Sequence, residues 1–282
     1  MWKSAGIHIT PEGFVAPSNT PSMHDPMTDD MVSNAMVWLV MKLVNFIAAG
    51  DDLPMEINPL GLSIRQKPLR DYWTHRHQHL DAWHNGLPDG FQPISTIWPD
   101  TAASASASTP KIARKWFARP MCASTMQWYH FARIQLLHNK PHVSTGVSSS
   151  PPSHTISNVN TKDTAYAPYT SSVRSPGSPA ERNLSYASII SLSRSHALEI
   201  ISIALAQTDE GVTIHSVQPL YAAGQVLGVA ADTSEDAARE LRLLRAAVVK
   251  CLRDIERETG WATGYRVEQL LGQWGLPADW SG

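Results

Sequence analysis

Four histidines and two acids crowd into one stretch, DYWTHRHQHLDAWH, running from Asp71 to His84. On a helix, His75 and His79 stand one turn apart and project from one face, the spacing that brings two imidazoles onto a zinc or nickel ion. Such a site normally takes a third protein ligand, and Asp71 and Asp81 are the nearest acids. His77 and Asp81 also spell H-x-x-x-D, a pattern with which some acyltransferases hold a general base. Each pattern has a plainer alternative: a solvated polar face on a helix whose other side is apolar, and a weak His–acid pair one turn apart. The plainer alternatives carry more weight, so no catalytic, cofactor-binding or metal-ligating residue is assigned. A metal-binding or acyl-transfer enzyme centred on His75 to Asp81 stays the competing expectation.

Other chemical signals are thinner. Ser108 to Lys111 fits S-x-x-K, but it sits in the SASASTP tract with Pro110 inside it, where no rigid scaffold activates a serine. G-x-S-x-G, G-x-G-x-x-G and P-loop signatures are all missing, so acyl-enzyme, dinucleotide and nucleotide chemistry lack their minimal motifs. Lys111, Arg114, Lys115 and Arg119 surround Trp116 and Phe117, a cluster short enough for a nuclear-import signal or a solvated edge and too small to release many counterions from DNA. Of ten tryptophans, Trp73, Trp83, Trp128 and Trp274 fall on expected helix faces. Core packing accounts for them, and an aromatic-lined pocket for an apolar ligand is the functional alternative.

The whole chain narrows the classes further. With 282 residues and 43% hydrophobic content it can build a substantial core. Lys plus Arg number 23 against 25 for Asp plus Glu, so no overall field draws it to polyanions. Cys122 and Cys251 alone cannot build a disulfide framework or a site of several thiolates, which suits a reducing compartment. The opening MWKSAGIHITPEGF does not read as a secretory signal. Met31 to Ala49 is the most apolar stretch, but Ser33, Asn34, Lys42 and Asn45 favour a buried core helix over a membrane span.

The elements that would position these residues are all helical. Thr28, Asp29 and Asp30 open a first helix that Gly50 closes; a second runs from about Leu69 to Leu87, ended by Pro88 and Gly90; a third spans about Met121 to His138 between Pro120 and Pro141. Leu184 to Gln207 reads as one apolar helix stopped by Gly211, and Ser216 as the cap of the next, with Pro219 in its first turn. Ser234, Glu235 and Asp236 start a long helix with Leu241, Leu244, Val248, Leu252 and Ile255 inward, stopping near Thr259 and Gly260. Thr263 to Trp274 is the last, with Val267, Leu270, Leu271 and Trp274 on one face. No segment shows strand alternation, so the class is all-α, a helical bundle or irregular array.

The organisation expected is a mobile leader over residues 1–27, one helical domain over 28–98, 120–142 and 183–276, and a tail over 277–282. A low-complexity insertion at 99–119 and a disordered Ser/Thr/Pro-rich one at 143–182 interrupt the domain.

Five runs in order resemble the fungus-specific transcription factor domain, the regulatory domain of fungal zinc-cluster transcription factors. They are MVWLVMKLVNFIAAGD, LRDYWTHRHQHLDAWHNGLPDGFQPI, MQWYHFARIQLLHNKP, SRSHALEIISIAL, and VQPLYAAGQVL followed by RAAVVKCLRDIERETGWATGYRVEQLLGQWG. They cover most of residues 31–276 outside the insertions. The resemblance implies a transcription regulator and not an enzyme, placed in the nucleus (the cytoplasm being the alternative). It implies protein partners, no membrane, no cofactor, and a small-molecule effector as an option. The family adds control of a biosynthetic gene cluster as an expectation. Its DNA-binding module uses six cysteines, which two cannot supply, so direct DNA binding is not expected here, and a truncated product without activity is a further alternative.

Overall fold

A computed structural model describes residues 28–49, 66–98, 112–140, 179–228 and 234–280. The expected leader, the S-x-x-K motif, Lys111 and residues 143–178 of the second insertion lie outside the described residues.

The chain folds into eight helices among those residues: α1 (Asp29–Ala49), α2 (Gln66–Asn85), α3 (Pro120–His138), α4 (Pro179–Ala204), α5 (Glu210–His215), α6 (Val217–Val226), α7 (Glu235–Thr259) and α8 (Gly264–Trp274). The class is all-α. A small antiparallel ribbon joins β1 (Ser95–Ile97) to β2 (Arg114–Trp116), with Ser95 opposite Trp116 and Ile97 opposite Arg114.

Local signals explain several boundaries. The Ser234 side chain accepts a hydrogen bond from the Ala237 amide at 3.2 Å, satisfying one of the orphan donors at the start of α7. Gly260, at φ 72°, and Gly275, at φ 67°, adopt the left-handed backbone that ends α7 and α8. The Asp209 side chain accepts from Val212 N at 3.1 Å and so starts α5.

α3 is central. Cys122, Ala123, Met126, Tyr129, Ala132, Leu136 and Leu137 are buried, and so are Thr125, Gln127, His130 and Ile134 on its other sides, as befits a helix walled in all round. On one side it meets α1, α2 and the Phe91 turn, in a core that includes Val32, Met36, Leu39, Leu43, Trp83 and Phe91. On the other, Ile134 joins Ile200, Ile201, Leu220, Val248, Leu252, Val267 and Leu270 from α4, α6, α7 and α8. Removing each such side chain from water contributes about 1.5–3 kcal/mol before the entropy of ordering is subtracted. α1 is long and apolar enough to cross a membrane. Here it packs as a core helix, with Val32, Met36, Leu39 and Leu43 nearly or fully buried.

Five expectations are corrected. Strands do occur: β1 and β2 are three residues each, too short for alternation to show. Residues 112–119 belong to the ordered fold and not to an insertion, because Ile112, Ala113 and Phe117 are buried and β2 pairs with β1. Residues 179–182 likewise start α4. Gly211 stops nothing: α4 ends at Ala204, and Gly211 lies inside α5. Ser216 precedes α6 without a side-chain cap; its hydroxyl is 2.7 Å from the Val212 carbonyl and 2.8 Å from the Gln127 side-chain oxygen.

Candidate functional site

α2 carries the histidine-rich stretch along a face that is largely open to water, while Leu80 and Trp83 turn inward. The His75 and His79 rings lie 4.0 Å apart, centroid to centroid. Burial, with His75 and Arg76 nearby, pushes His79 down to about 4, so it is neutral at pH 7. Asp81, one candidate third ligand, is already engaged: Oδ2 is 2.9 Å from His77 Nδ1 and Oδ1 accepts from Arg133 Nη1 at 2.5 Å. Asp71 is exposed. Among the described residues no three histidines, cysteines or acids are grouped so that they could hold a metal ion. The His77–Asp81 pair exists as H-x-x-x-D implies, but Arg133 makes it part of an α2–α3 clamp.

Beneath that face lies a cluster with no counterpart among the chosen motifs. Tyr129 stacks on Trp83 and His84, with centroids 5.5 and 4.7 Å apart, and meets His130 and His196 edge-on. His130 of α3 and His196 of α4 face each other with their Nδ1 atoms 3.0 Å apart. One ring must donate its N–H to the bare nitrogen of the other, which requires at least one neutral ring. Burial holds His130 well below its ordinary value, and burial with Arg133, His84 and His77 lowers His196 to about 4. The pair is a neutral, part-buried polar bridge between the two helices.

Trp73, Trp83 and Trp274 are structural. Trp83 donates its indole N–H to Val32 O at 3.0 Å, Trp73 to Leu136 O at 2.7 Å and Trp274 to Gly224 O at 3.1 Å. One cavity among the described residues has no aromatic residue in its lining. That cavity is an open cleft of about 570 Å³ between β2, the end of α4, α5, α6 and α7. Its apolar walls include Leu205, Leu220, Leu243, Ala246, Ala247 and Ile255; its polar lining includes Arg114, Thr208, Thr213, Lys250, Asp254 and Glu258, with Cys251 beside them. Burial raises the Cys251 thiol to about 11, so it is no nucleophile at neutral pH. Asp254 pairs with Lys250 and, at 2.7 Å, with Arg257, which also holds Glu258 at 3.0 Å.

The basic cluster is broken up by the fold. Lys115 is paired with Glu199 at 2.5 Å and Arg119 with Asp29 at 2.8 Å, whereas Arg114 is exposed at the cleft.

Comparison with known proteins gives a whole-chain likeness. The chain is similar to the transcription activator AMTR1 of Alternaria alternata. Identity is 33% over 284 residues, covering 97% of the chain and 32% of that protein. The chain thus spans about a third of the length of the relative it matches. No family model matches the chain, and no solved structure does. The likeness to AMTR1 extends over α1 through α8 and is not confined to one motif.

The structure brings His77 and Asp81 together, and His75 and His79, as the spacing on a helix requires. It does not bring the stretch to the cleft. The cleft residues escaped notice because they come from segments near 114, 205 and 250 that meet only in the fold. His130 and His196 escaped too, though His196 begins the HALEIISIAL run.

Proposed function

We propose that the chain is the regulatory helical region of a fungal transcription regulator of the zinc-cluster kind, acting in the nucleus through protein contacts and not through catalysis. The observation that carries this reading is 33% identity to a transcription activator along 97% of the chain, in addition to the five ordered runs that resemble the family domain. The geometry is compatible: the histidine stretch clamps α2 to α3, and Trp73 and Trp83 brace the core. Two of the four cations of the basic cluster are spent on ion pairs within the fold, and the 282 residues hold two cysteines, so DNA recognition is not assigned to these residues. An effector acts on such a region only if it binds two conformations with different affinity.

Control of a biosynthetic gene cluster is the finer part of the proposal and rests on the family resemblance. Transcript levels of the genes beside its own, with and without the chain, test that part. The core of the proposal is tested by fusing the chain to an unrelated DNA-binding domain above a reporter gene. A change in reporter transcription is expected; no change under any growth condition rejects it.

A further inference from the structure

Arg114 stands at the edge of the cleft without an ion-pair partner among the described residues, while every other charge lining it is neutralised. Lys250 and Asp254 hold each other, and Arg257 serves both Asp254 and Glu258. Arg114 of β2 and Cys251 of α7 both line the cleft. The walls beneath are aliphatic, formed by Leu205, Leu220, Leu243 and Ile255, and Thr208 and Thr213 offer hydroxyls beside them. About 570 Å³ is within the range of sites that enclose a small molecule.

We infer that this cleft is a binding site for a small aliphatic monocarboxylate, with the carboxylate on Arg114 and the hydrocarbon against α6 and α7. A guanidinium presents two parallel N–H donors that match a carboxylate, and it carries the one charge left unbalanced. A dianion would bring a second charge for which the lining holds no further unpaired cation among the described residues, and a cation would meet Arg114 directly. As the effector site of a regulator the cleft rests on the function proposed above, but the binding itself does not. Its floor and walls come from β2, the α4 end, α5, α6 and α7, so an occupant touches five elements of the fold.

Octanoate is the probe, titrated into the full 282-residue chain by isothermal calorimetry, with 1-octanol and octylamine as length-matched controls. Octanoate is expected to bind one-to-one, 1-octanol about tenfold more weakly for lack of a charge-assisted bond, and octylamine not measurably. Arg114→Gln, at an exposed position, should weaken octanoate about tenfold and leave 1-octanol unchanged. Ala246→Phe, which fills the cleft, should abolish both; if it lowers helical content, Arg114→Gln alone decides. Absence of saturable octanoate binding, equal binding of 1-octanol, or indifference to Arg114→Gln overturns the site. The reporter fusion is scored separately: a silent reporter with intact octanoate binding rejects the transcription reading and leaves the site standing.

Discussion

Acid should unfold this protein through its buried histidines. An unfolded histidine takes up a proton near 6.5, whereas His196 in the fold does so only at about 4, and His130 lies well below its ordinary value too. Between those values the unfolded chain binds protons that the native one refuses, so stability rises with pH across the window. The contribution is complete above pH 6.5 and declines as pH falls toward 4. At 1.36 kcal/mol per unit, the His196 difference alone amounts to about 3 kcal/mol. The cause is that a charge on either ring is desolvated and faces Arg133 and His84, with Lys115 also near His130 and His77 near His196. His196→Gln keeps a polar partner for His130 and cannot be protonated. Urea unfolding followed by circular dichroism from pH 4 to 8 should show wild-type stability falling steeply below pH 6.5, and His196→Gln losing most of its share of that slope. His79, also lowered to about 4, keeps a residual slope in the variant. A wild-type protein as stable at pH 4.5 as at pH 7.5, or a variant with the unaltered slope, would refute the reasoning.

Three substitutions test the packing. Trp83→Ala empties a fully buried site and removes the indole's bond to the Val32 carbonyl, and a loss of about 3–5 kcal/mol in urea unfolding is expected. Gly224→Ala places a Cβ 2.6 Å from Leu270 Cδ1, where α6 and α8 touch; a loss of about 1–3 kcal/mol should appear as a lower melting temperature. Thr263→Val removes the buried hydroxyl that donates to Leu252 O at 2.6 Å and joins α8 to α7, at a cost of about 1–3 kcal/mol by the same denaturant assay.

Much of the helix pattern was legible from residue types alone. α7 is bounded by a serine that caps and a glycine at positive φ, both local signals, and its inward residues recur at helical spacing. α8 was legible from Gly275 at positive φ and from Val267, Leu270 and Leu271 at helical spacing, and α1 from its apolar residues. α3 was harder, because a helix buried all round loses the contrast between faces: Ile134 faces one core, Leu136 the other, and Gln127 and His130 are buried between. The β ribbon escaped because its strands are short and the two arms are separated by residues 98–113. Gly211 misled because its usual role as a helix stop competed with Asp209, two residues earlier, whose side chain starts α5. The histidine spacing on α2 was read correctly as geometry, yet what holds Asp81 is Arg133, 52 residues away, and spacing along one helix carries no information about that. The cleft was invisible for the same reason, since Arg114 and Cys251 meet only through the fold.

The most direct measurement of the central claim is reporter transcription from the chain tethered to an unrelated DNA-binding domain, run beside the same fusion carrying Trp83→Ala. If the helical array regulates transcription through its folded surface, the wild-type fusion changes reporter output and the core variant, at equal protein level, does so weakly or not at all. A silent wild-type fusion, or a core variant as active as the wild type, would contradict it.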